Sequence, residues 1–173
     1  MKRIVLLLFG LLIMASSGAL AAQPEDVTRA PTCHQCGMDR DKFRYSRTVI
    51  EFLDGSTVAN CSLHCAAVEL ATSIDRIPVK IGVADYNSKA IIDADDAFWV
   101  LGGNKKGVMT NKAKWAFAEQ SAAKKFIQAN GGSIVTFDEA IKAAYEDMYL
   151  DTKMIREFRM MMRSKHKEDA HAH

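Results

Sequence analysis

Four cysteines, one methionine and one histidine have the types and spacing for metal or redox chemistry. They are Cys33-x-x-Cys36 with Met38 two positions on, and Cys61-x-x-x-Cys65 with His64 between them. Two such pairs, separated by a stretch long enough for a hairpin, let a loop and a helix start present four sulfurs to one ion. A metal requires thiolate, and a helix N-terminus favours it through the positive end of its dipole. Three chemistries fit these sulfurs. Four thiolates suit a structural zinc ion; two disulfides suit an oxidising compartment; soft thiolate and thioether donors suit copper(I). Met38 gives copper its support, because Gly37 leaves the backbone free enough for Cys36 and Met38 to point the same way. Core filling is the competing role for Met38. A thioredoxin-type redox pair is disfavoured, since Cys36 is followed by Gly-Met-Asp-Arg-Asp, a poor helix start. His64 is a candidate ligand or a supporting group, His34 is expected to face solvent, and Met109 is assigned to the core.

The elements that must position these groups are readable around them. Residues 48–53, Asp54-Gly55 and residues 56–60 predict a hairpin with a two-residue type I′ turn. A helix follows over 62–71, with Ser62 as its cap, so Cys61 falls at a strand-to-helix corner. Strands are predicted at 79–83, at 97–101 and over Trp115-Ala116-Phe117, and a helix at 120–128 closed by Asn130-Gly131-Gly132. Thr136 and Glu139 form a capping box opening a last helix that runs to about Leu150. The order is strand-strand-helix twice, an α+β arrangement of two β-β-α units with a C-terminal helix. Residues 57–67 can be laid against 113–123, placing Phe117 and Ser121 where the first unit has Cys61 and Cys65.

Residues 1–21 carry a basic start, a short apolar run and Ala19-Leu20-Ala21, the pattern of a secretory signal peptide cleaved after about Ala21. Export to the periplasm is therefore expected, and without a cysteine near the cleavage site no lipid anchor is expected. Residues 22–32 read as a flexible leader, 33–150 as one metal-binding domain, and 151–173 as a charged tail bearing methionines and histidines. Net charge is +2 with both signs interspersed, which does not imply nucleic acid. No Ser/His/Asp order, phosphate loop or paired carboxylates point to catalysis.

Cys33-His34-Gln35-Cys36-Gly37-Met38, the Asp54-Gly55 hairpin, Ile92-Asp93-Ala94, Gly107-Val108-Met109, Trp115-Ala116-Phe117 and residues 122–126 together resemble the NosL family, accessory proteins of nitrous oxide reductase. The likeness spans residues 33–145. It implies a treble-clef-like fold related to organomercurial lyase and an extracytoplasmic copper(I) metallochaperone. Such a protein serves a copper-receiving client enzyme with the help of a membrane ABC-type complex. It also implies that Cys36 and Met38 belong to the copper site. The extra pair Cys61 and Cys65 is similar to the cysteine spacing of TRASH and YHS metal-binding modules, and zinc remains the alternative ion.

Overall fold

The computed structural model describes residues 23–171. The signal peptide expected over 1–21 lies outside the described residues.

Strands β1 (Thr48–Phe52) and β2 (Thr57–Asn60) pair antiparallel, with Thr48 opposite Asn60 and Glu51 opposite Thr57. Their connection is longer than the two-residue turn expected. Gly55 N–H donates to Phe52 O, Phe52 N–H donates to Ser56 O, and only Gly55 takes a positive φ, at 81°. This is a three-residue loop, a tight turn followed by a left-handed glycine. The Asp54 carboxylate accepts from Ser56 N–H at 2.9 Å and holds it. Helix α2 (Leu63–Thr72) follows, and β3 (Pro78–Ala84) and β4 (Ile91–Asp93) extend the sheet to the order β2-β1-β3-β4.

The second unit repeats the plan. Strands β5 (Phe98–Leu101) and β6 (Lys114–Phe117) pair antiparallel and lead into α3 (Gln120–Asn130); β7 (Ser133–Val135) then adds to the other side of β5. The β-β-α order therefore occurs twice, and β2 with α2 matches β6 with α3 to within one residue on the 57–67 to 113–123 alignment. The Asp85 carboxylate joins the two sheets by accepting from Ala118 N–H at 2.9 Å and Ser88 N–H at 2.6 Å.

One core lies between the first sheet, α2 and the last helix, α4 (Phe137–His171), around Ile50, Phe52, Leu63, Trp99 and Ala140. The other joins the cysteines to Val100, Trp115, Phe117 and Phe126. The capping box forms as predicted, with Glu139 accepting from Thr136 N–H at 2.8 Å and Thr136 Oγ1 accepting from Glu139 N–H at 3.3 Å. Ser62 does not cap α2 through its side chain; its carbonyl accepts from Ala66 N–H instead.

Two boundaries differ from expectation. The leader over 22–32 is not free of the domain, because residues Glu25–Arg29 form a short helix, α1, with Val27 buried and Asp26 paired to two arginines. Its polar composition hides those partners, which lie 14 and 21 residues further on. The last helix does not stop near Leu150 but runs to His171, so 151–171 is a continuation of α4. Asp151 is buried and accepts from Asn111 N–H at 3.1 Å, a tertiary anchor no local pattern reveals.

Candidate metal centre

The loop from Cys33 to Met38 closes on itself: Gly37 N–H donates to Cys33 O at 2.9 Å and Cys33 N–H to Met38 O at 2.8 Å. Gly37 takes φ +75°, a left-handed conformation that a side chain would oppose. The loop docks on the hairpin through His34 N–H to Ala59 O at 2.9 Å. Gln35 donates to the buried Glu69 carboxylate on α2, and His34 Nε2 lies 3.7 Å from it, with the His34 side chain largely in solvent as expected. Cys61 sits at the corner between β2 and α2 and Cys65 in the first turn of α2, as the sequence indicated. Ser46 Oγ donates to Cys61 O at 2.8 Å and fixes that corner.

These placements gather four sulfurs. The Sγ atoms of Cys33, Cys36, Cys61 and Cys65 all lie within 4.8 Å of one another; Cys36 to Cys61 is 3.5 Å and Cys61 to Cys65 is 3.7 Å. A tetrahedral ion with metal–sulfur bonds of about 2.3 Å has sulfurs about 3.8 Å apart. All four are free thiols; Cys33, Cys61 and Cys65 are buried, and Cys36 is half-buried. Four sulfurs so close cannot all ionise without a cation. Cys33 is pulled far down because the Cys36, Cys61 and Cys65 thiols hydrogen-bond to it. Its charge works against a second thiolate at Cys36, but hydrogen bonds from Cys61 and Cys65 leave Cys36 lowered as well. Cys61 and Cys65 are pushed up, first by Cys33 and Cys36 and then by burial. Binding an ion here must therefore displace protons.

A buried ion-pair network supports the loop and escaped the sequence reading. Arg40, fully buried, donates to Asn60 O at 3.2 Å, Asp26 O at 2.8 Å and Ala30 O at 2.7 Å, and its charge meets Asp26 Oδ2 at 2.8 Å. Arg47 reaches the same carboxylate at 2.7 and 2.9 Å. Burial alone would raise the Asp26 carboxyl, but Arg47 and then Arg40 carry it below the usual carboxylate range. The network ties α1, the cysteine loop and β2 together one residue before Cys61.

Cys36 opens onto a pocket of about 640 Å³ whose wall also includes Met38, Met109 and Met154, with Phe43 and Tyr45 beside them. Met109 packs against the core as assigned from sequence, yet it is half-buried, also lines this pocket and takes φ +60°. For a residue with a side chain that conformation costs about 1–2 kcal/mol. His64 lies apart from the sulfurs: its Nδ1 is 3.3 Å from Asp151 Oδ2 on α4, both side chains buried. Burial holds its imidazole below the ordinary value against the pull of Asp151. His64 thus braces α2 against α4, a placement fixed by its rotation around α2 relative to Cys65. The histidines of the tail, His166, His171 and His173, lie outside the described side chains.

Residues 24–145 match the NosL family. No curated protein matches the chain. Among solved structures, the copper chaperone NosL from Shewanella denitrificans shares the fold, with a TM-score of 0.51 and 22% identity, over 62% of this chain and 87% of that one.

Proposed function

The chain belongs to the NosL family, and from that premise we propose that it is an exported copper(I) chaperone. On this reading it holds one ion among its clustered sulfurs and passes it by ligand exchange to a copper enzyme, nitrous oxide reductase or another exported client. A membrane ABC-type complex is the natural intermediary. The observation that carries the proposal is the gathering of four thiols within 4.8 Å, of which Cys36 alone is half-exposed and borders a methionine-lined pocket. Thiolate and thioether donors suit copper(I) above the harder divalent ions. A closed tetrahedral cage retains its ion, whereas one with an accessible edge can release it. Cys33, Cys61 and Cys65 form the buried side of the site, and Cys36 and Met38 the side from which the ion leaves. Met109 faces the same side, which gives a reason to hold a strained backbone there. Only metal–ligand bonds are made and broken, so no catalytic group is required. Export accords with the signal-like pattern of residues 1–21.

The sulfur spacing also favours a second reading. Separations of 3.5 and 3.7 Å are close to the edge of a zinc tetrathiolate, whose ion would be structural. Native mass spectrometry of protein purified without oxygen, titrated with copper(I) and a competing chelator, separates the two. One tightly held copper(I), lost in Cys36→Ser and weakened in Met38→Ala, is the expected outcome. Isolation with one zinc ion that excess copper(I) does not displace would overturn the chaperone.

A further inference from the structure

The family match ends at residue 145, yet α4 continues for another 26 residues, and its near part packs on the side of the domain that carries Cys36. The stripe that packs α4 on the core, through Ala140, Ala144 and Met148, continues at helical spacing to Asp151, Met154 and Ile155. Two contacts of the helix flank the site. Asp151 accepts from Asn111 N–H at 3.1 Å, and two turns further on Arg159 donates to Cys36 O at 3.4 Å. Met154 lies between these anchors and lines the pocket with Cys36, Met38 and Met109.

We propose that Met154 is a copper(I)-binding thioether, and that the segment 146–159 completes the outer side of the site as a ligand-bearing strap. The inference rests on the chaperone reading. The pocket combines one thiol and three thioethers with the aromatic rings of Phe43 and Tyr45, and its described lining has no carboxylate and no imidazole. Two cationic side chains, Lys106 and Arg159, border it. Such a lining offers a hard divalent ion no carboxylate, only the hydroxyls of Tyr45 and Thr110, while thioethers bind a soft monovalent ion without needing to lose a proton. A neutral donor near the end of the anchored part of a helix also suits handover, because beyond Met154 the single Arg159 to Cys36 contact holds the cover, and its rupture would expose the thioether.

The test uses the full chain and copper(I) itself. Met154→Leu keeps the apolar volume and removes the donor. The expected result is an unchanged melting temperature, about tenfold weaker copper(I) binding against a competing chelator, and one fewer sulfur around copper in X-ray absorption. Affinity and sulfur count equal to the native chain, with copper still lost in Cys36→Ser, would overturn the role of Met154 alone. Copper retained in both Cys36→Ser and Met38→Ala would overturn the chaperone reading and this inference with it.

Discussion

Sulfur chemistry here depends on which side chains share one point in space, and the histidine is instructive because it does not. His64 stands next to Cys65 in sequence, yet successive helix positions are rotated by roughly 100°, and its ring meets Asp151 on α4 at 3.3 Å. His64→Ala is therefore expected to leave the metal stoichiometry of the protein unchanged. It should cost about 2 kcal/mol of stability, because it opens a cavity where the buried imidazole packs α2 against α4. Metal titration by mass spectrometry and urea unfolding of the same sample check both halves; loss of the bound ion would return His64 to the ligand set. At the same level, the gathering of Cys33, Cys36, Cys61 and Cys65 was legible from type and spacing. That Met38, Met109 and Met154 border one pocket was not, since a lone methionine in a sequence is most often apolar filler.

Among the elements, the short helix α1 has the largest unforeseen role. Five residues cannot hold a helix by themselves; what holds α1 is Asp26 between Arg40 and Arg47, with Val27 buried beside it. Asp26→Asn should lower stability near neutral pH by roughly 2–4 kcal/mol, because two buried guanidinium groups lose their counter-charge. The pH dependence has a definite sign. The folded carboxyl titrates below its ordinary value of 3.8, so its contribution is complete above that pH and is lost as pH falls below it. Urea midpoints for the two proteins should differ most at pH 7 and converge below pH 4; a gap that widens with acid would refute the pairing. The hairpin, both β-β-α units and the Thr136 capping box were all visible beforehand, because each is written in local patterns. The three-residue turn at Asp54-Gly55 differs from the expected two-residue turn because only Gly55, not Asp54, takes the left-handed conformation.

For the molecule as a whole, the two units share one long helix. Asp151 reaches back 40 residues to Asn111 and faces His64, so it ties α4 to the loop that carries Met109 and to the helix that carries Cys65. Asp151→Ala should cost about 1–3 kcal/mol and speed amide hydrogen exchange over residues 107–113 and 146–159 together. Acceleration confined to the helix would mean that the tie to the loop carries no coupling. The sequence by itself determined the α+β order, the position of each cysteine relative to a hairpin and a helix start, and the family resemblance, because periodicity, turn residues and ligand spacing act within a few residues of chain. Only the tertiary structure decided that the four sulfurs converge within 4.8 Å, that Asp26 anchors the start of the domain, and that α4 carries Met154 to the pocket beside Cys36. Those outcomes follow from buried charges and packed helix faces that meet across tens of residues, where no local pattern specifies the partner.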